Sequence, residues 1–302
     1  MRNVGQRKQG NTMAEKIINK TMEVSDLESD RSREIIVELG ELIQELRDKG
    51  LSISSWYGCF DLTGENTSSE VINRGYNYEP IEGAVDDRNF PWFLYWEIVW
   101  VIMNAEFSKG QKVLDLGGSS SLFSYYLASK GLDVTTVDLQ KNLVENANRV
   151  SQQMGWTLTN HVMNMSDMAF SSQFDHITSI CVYEHIPMYE RVDINRKIAN
   201  LLAPGGRFSI TFDYKNPSHF ARINTPLDVY AQFVEPSGVR PRGNQVFLDT
   251  GQCYLLHPFY HPRTSWKYKL KEVRTGHFWP WEILKSKKDN DYTFGALFQE
   301  KP

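Results

Sequence analysis

Between Lys112 and Phe212 the chain alternates short apolar runs with longer stretches whose apolar residues recur every three or four positions. The short β-branched runs at 112–116, 133–138, 158–163, 175–181 and 206–213 predict strands. A helix is expected over 120–130, stopped by Gly131. Another is expected over 140–154, with Leu143, Ala147, Val150 and Met154 on one face and Gly155 as its stop. Pro187 suits the first turn of a third helix that runs to about Leu202. Repeated strand–helix units of this kind build a parallel sheet with helices on both faces. Right-handed crossovers then gather the ligand loops at the carboxyl ends of the strands.

The flanking regions differ. Ser32 or Asp30 can cap a helix carrying Ile35, Leu39, Leu42 and Leu46 at helical spacing and ending at Lys49-Gly50. Residues 51–90 read as loop. Pro91 opens an aromatic helix through Trp92, Tyr95, Trp96, Val99 and Trp100, closed by the Lys109-Gly110 turn. The run from Phe90 to Phe107 is short for a membrane span and holds Glu97 in its middle, so a buried helix is expected. Beyond Phe212 the alternation fails. Residues 214–262 hold Pro217, Pro226, Pro236, Pro241, Pro258 and Pro262, with a short helix expected at Leu227–Val234. Trp266 to Lys271 alternates at period two and reads as an edge strand with one lysine face, which together with Lys285, Lys287 and Lys288 reads as solvated surface. Tyr292–Gln299 is the expected last strand. These signals divide the chain into a flexible arm (1–30), a helical cap (31–109) and an α/β domain (110–302) with an insertion at about 214–262.

Composition narrows the class. Charged residues make up 23% and aromatic residues 13%, which is globular, and a net charge of −4 argues against a protein that coats nucleic acid. Cys59, Cys181 and Cys253 are scattered without a C-x-x-C pair, so neither a disulfide framework nor a zinc site is expected; a reducing cytoplasm fits. Residues 1–24 are polar and do not read as a secretory leader.

Candidate chemistry concentrates at Lys112-Val113-Leu114-Asp115-Leu116-Gly117-Gly118-Ser119-Ser120-Ser121. Glycines there let the backbone approach a ligand, and the helix that follows offers unpaired N–H groups. Asp138, at the end of the next strand, can accept both hydroxyls of a ribose. An adenosine-containing cofactor is therefore expected. A dinucleotide turn reads G-x-G-x-x-G, and this turn fails at the second and third glycines. Asp115 would also repel a diphosphate, whereas it suits a ligand with a cationic amino-acid end.

Asp115-x-Gly117 resembles motif I of the class I S-adenosylmethionine-dependent methyltransferases. The resemblance continues in order through Asn164 to Phe170 with Phe174-Asp175-His176-Ile177, Val182-Tyr183-Glu184-His185-Ile186, and Leu201 to Phe208. It covers about residues 110–215 and implies a doubly wound, seven-stranded, mostly parallel Rossmann-like sheet in the order 3-2-1-4-5-7-6. The implied cofactor is S-adenosylmethionine, with S-adenosylhomocysteine as product. Its implied contacts are Asp115, Gly117, Gly118, Ser119, Asp138, Leu139, Asn164, Met165 and Cys181. Ser119 and Ser121 stand where the family usually has glycine, and Asn164 where an acid commonly meets the adenine amino group; the serines can cap the helix or bond the cofactor carboxylate.

Methyl transfer is an in-line displacement needing mainly alignment, with a base when the nucleophile is a hydroxyl. His185, with Glu184 beside it, is the base candidate. Those two lack a third acid, since Cys181 stands at that position, so no metal ligand set is expected. Trp96, Tyr214, His257 and Tyr260 are the candidate substrate contacts. Most of the aromatic residues outside the sheet are expected to pack as a lid. The expected function is transfer of a methyl group to oxygen or nitrogen of a small-molecule acceptor, without nucleic acid or membrane as partner. The alternatives are methylation of RNA or protein, or cofactor binding without catalysis.

Overall fold

A computed structural model describes residues 16–55, 90–216, 223–254 and 292–302. The five expected parallel strands are β2 (Lys112–Leu116), β3 (Asp133–Asp138), β4 (Leu158–Val162), β5 (Phe174–Ile180) and β6 (Leu202–Tyr214). They lie in the order β4-β3-β2-β5-β6, with β8 (Thr293–Glu300) antiparallel to β6. Strand order, not chain direction, reverses between β2 and β5, which pair parallel, so the loops part there into a crevice at the carboxyl ends.

Among the described residues the sheet numbers eight strands because two short ones join its far edge. β1 (Lys20–Thr21) and β7 (Arg240–Pro241) both pair antiparallel with β8. In the order expected from the resemblance, the place beyond the last strand belongs to strand six. Among the described residues β1 fills it, while the expected strand at Trp266–Lys271 lies outside them. Residues 20–30, expected as part of a free arm, are thus built in. Asn19 donates from Nδ2 to the carbonyls of Arg242 and Asn244 and accepts from Phe298 N–H, and Lys20 bridges Glu23 and Asp26 at 2.6 Å. The reason is local: these polar groups close one another's hydrogen bonds, so burying the edge leaves few unpaired.

Helices α1 (Asp30–Asp48) and α2 (Trp92–Ala105) pack together over the sheet. Ser29 caps α1 by accepting from Ser32 N–H, and Ile35, Ile36, Leu39, Leu42, Ile43 and Leu46 are buried. Each such side chain contributes roughly 1.5–3 kcal/mol. α2 buries its aromatic residues in the core: Phe93 stacks on Phe294 at 5.3 Å and Trp96 on Trp100 at 6.0 Å. Helices α3 (Leu122–Ser129), α4 (Lys141–Met154) and α5 (Met188–Leu201) link successive strands. In the segment after β6, α6 (Pro226–Val229) runs through a π-helical turn (Tyr230–Val234) into α7 (Glu235–Ser237), and Phe233 is buried against Tyr183 and Phe212.

Candidate functional site

A cavity of about 710 Å³ opens where the carboxyl ends of the parallel strands meet α2. It is lined from β2 by Asp115, Gly117, Gly118 and Ser119, from β3 by Asp138 and Leu139, and from β4 by Asn164 and Met165. Cys181 and His185 reach it from the loop after β5. The fold therefore gathers all nine expected cofactor contacts in one cleft.

Gly117 adopts φ +77°, and a Cβ there would stand 2.8 Å from both Val182 methyl groups. Gly118 has another reason to be glycine. A Cβ on it would fall 1.8 Å from Asp115 Oδ2, so the missing side chain makes room for the carboxylate beneath the turn. That carboxylate accepts from Ser124 Oγ at 2.6 Å and from Thr178 Oγ1 at 2.8 Å. Burial pushes the Asp115 carboxyl up from 3.8 to about 7. Folded protein thus retains a proton that the unfolded chain releases near pH 4. Stability therefore falls as pH rises from about 4 to about 7. The loss from this group is on the order of 4 kcal/mol at most, and Asp115→Asn is expected to remove it. Denaturant melts of both proteins at pH 5 and pH 8 check this; an equal pH dependence in the two contradicts it.

The serines that replace the usual glycines have mainly structural duties. Ser119 Oγ lies 2.6 Å from Thr136 Oγ1, which in turn donates to Asn160. Ser120 takes the left-handed φ of +64°, held by a bond to the Leu143 carbonyl at 2.6 Å and by contacts from Asn146 and Tyr125. Ser121 caps α3 through Ser124 N–H. So the turn stays tight without its glycines. Of the two expected roles for the hydroxyls, helix capping is carried by Ser121, while Ser119 and Ser120 bond neighbouring protein groups.

Asp138 accepts from Gln140 N–H at 2.9 Å, and its carboxyl is raised by burial against the opposing effect of backbone N–H groups of Gln140, Leu139 and Ser119. Asn164 Oδ1 already accepts from Ser166 N–H at 2.9 Å. Cys181 sits at φ +53° with its thiol 3.7 Å from Asp213 Oδ1.

Several expectations are corrected. Glu184 does not line the cavity: it is 3% exposed, and its Oε1 accepts from Asp213 N–H at 3.2 Å, tying the end of β6 to the loop after β5. Trp96 is fully buried, donating to Asp26 Oδ2 at 2.8 Å, because its indole needs both an apolar bed and an acceptor. Tyr214 is likewise buried, with its hydroxyl on Asp249 at 3.2 Å. Neither of these two reaches the cleft. His257 and Tyr260 lie outside the described residues. Sequence reasoning missed Glu97 and Asp213, which do line the cleft. Glu97 carried a signal, as the acid in the middle of the most apolar run.

A protein-family model described as a methyltransferase domain matches residues 113–206, the stretch from β2 to the turn inside β6. Residues 113–206 form a methyltransferase domain. The domain is similar to the ubiquinone biosynthesis O-methyltransferase of Xanthomonas axonopodis pv. citri, 33% identical over 142 residues that span 46% of this chain and 56% of that protein. The protein of the same description from Xanthomonas campestris pv. campestris is 32% identical over 142 residues, again 46% and 56% of the two chains. The chain spans about half the length of these curated relatives. Among solved structures, the [4+2]-cyclase SpnF aligns with a TM-score of 0.50 at 14% identity over 70% of this chain and 82% of its own. That likeness concerns the fold alone, and a fold hosts more than one chemistry.

In the methyltransferase domain the loop bearing His185 is held by a buried arginine. Arg191 is fully buried on α5 and donates to the carbonyls of Glu184 and Ile186 and to Gln232 Oε1. Arg191→Leu leaves those acceptors bare and is expected to cost about 3 kcal/mol. Urea denaturation measures it, and a change near zero argues against the clamp.

Proposed function

We propose that the chain transfers a methyl group from S-adenosylmethionine to an oxygen or nitrogen atom of a small organic acceptor. The observation that carries this reading is the convergence of the glycine turn, Asp138 and the Asn164–Met165 loop on one cleft large enough for two small molecules. Asp138 would accept the ribose hydroxyls, Asn164 and Met165 would flank the adenine, and backbone at Gly117 and Gly118 would run along the methionine part. Leu139, 70% exposed at the rim, would cover the adenosine.

Bound S-adenosylmethionine supplies an electrophilic methyl on a good leaving group. The protein's share is alignment of the acceptor with the carbon–sulfur bond. His185, exposed on the turn Tyr183–His185 and lining the cleft, stands ready to take the acceptor's proton. The relatives' description as O-methyltransferases supports a small acceptor over a polymer. So does the cleft wall, which holds no lysine or arginine among the described residues.

The test is calorimetric titration with S-adenosylmethionine and with NAD, followed by mass-spectrometric detection of S-adenosylhomocysteine in the presence of candidate acceptors. Binding of the first ligand only, with turnover, supports the assignment. Binding of NAD in preference removes it, and binding without turnover on any acceptor favours a non-catalytic role.

A further inference from the structure

The cleft is strongly one-sided in its ionisable groups. Glu97, Asp115, Asp138, Glu190 and Asp213 all line it, and among the described residues His185 is the only basic side chain that does. On the side facing α2 the acids crowd. Ligand atoms of Cys181, Glu184 and Asp213 lie within 4.8 Å of one another, and Glu97 interacts with all three. Glu97 lines the cavity yet is 1% exposed, and its buried Oε1 makes no hydrogen bond. An oxygen so buried is costly unless a ligand completes it.

We propose that the acceptor is a small cationic amine whose ammonium docks between Glu97 and Asp213 and which leaves N-methylated. This deepens, and rests on, the methyl-transfer reading above. Three features favour an ammonium over a metal ion or an anionic acceptor. The Cys181 thiol points its proton at Asp213 Oδ1, whereas a metal would require the thiolate among crowded carboxylates. Asp213 Oδ2 is held by Asn216 Nδ2 at 2.5 Å, which fixes the carboxylate where the residue lines the cleft. Phe90, Leu94, Ile98 and Tyr292 form an apolar wall beside the acids, suited to the hydrocarbon body of an amine.

The step balances. The docked ammonium gives one proton to the Asp213 carboxylate, and the freed nitrogen lone pair attacks the donor's methyl carbon. The carbon–nitrogen bond forms as the carbon–sulfur bond breaks, its electron pair remaining on sulfur. One positive charge, now on the methylated ammonium, is left, together with neutral sulfur and a protonated Asp213.

The test uses the full chain saturated with S-adenosylhomocysteine and three probes of matched size: benzylamine, benzyl alcohol and benzoate, titrated by ligand-observed NMR. Benzylamine is expected to bind about tenfold more tightly than benzyl alcohol, with benzoate excluded. Glu97→Gln and Asp213→Asn are each expected to erase most of that preference. Equal affinities for amine and alcohol in the unsubstituted protein overturn the proposal, whatever the variants do. So does one equivalent of Zn2+ or Mn2+ retained through dialysis and lost in Asp213→Asn. Titration of S-adenosylhomocysteine on the same sample separates the two readings. Its failure to bind strikes at methyl transfer itself, whereas its binding without amine preference strikes only at the amine.

Discussion

Gly118→Ala is expected to destabilise the protein by about 3 kcal/mol and to abolish measurable donor binding. The added methyl would stand 1.8 Å from Asp115 Oδ2, 2.4 Å from its Cγ and 2.8 Å from Ser124 Oγ. Flexible side chains absorb such clashes cheaply, but Asp115 is short and 1% exposed. Ser124 and Thr178 clamp both its oxygens. Relief therefore means breaking a buried hydrogen bond or lifting the turn off the sheet, and the second would move the backbone that is to run along the donor. Circular dichroism melts and calorimetric titration with S-adenosylmethionine read both effects. A variant that melts like the parent and binds the donor normally would show that the turn has slack.

The second large effect is expected at Asp138. Asp138→Ala is expected to weaken S-adenosylmethionine binding about 100-fold while lowering stability by only about 1 kcal/mol. The asymmetry follows from geometry. In the protein alone the carboxylate accepts chiefly from the backbone N–H groups that begin the loop after β3. The bound donor would add two ribose hydroxyls, each hydrogen-bonded to a charged oxygen. Because burial raises the Asp138 carboxyl, donor affinity is also expected to decline as pH falls and the carboxylate takes up a proton. Parallel titrations of the two proteins across pH 5 to 8 test the assignment. If the folded variant keeps the parental dissociation constant, the ribose contact is elsewhere.

The residues expected to meet the cofactor converge on one cleft because each sits at a fixed offset from a strand end. Strands β2 and β3 fall at the expected residues, and Asp115, Gly117 and Asp138 follow from their carboxyl ends. Glu184 illustrates the limit of such reading. Its neighbour His185 faces the cleft, yet Glu184 turns inward to the backbone of β6. Adjacent residues on a tight turn point in different directions, and sequence spacing alone does not say which one faces the ligand. Trp96 and Tyr214 were misplaced for a related reason. Large aromatic side chains serve cores and pockets equally well, and only packing assigns them.

What the sequence determined by itself was the parallel α/β layering, the glycine turn after β2 and the acid that ends β3. These depend on local periodicity and on glycine positions, which the chain carries within a few residues. The tertiary structure alone decided the sheet edge and the cluster of acids beside α2. β1 reaches β8 across more than two hundred residues of chain, and Glu97 meets Cys181, Glu184 and Asp213 only when α2 lies against β6. No local pattern encodes such meetings. They arise because helix and sheet must bury their apolar faces together, and the few polar groups on those faces are brought along.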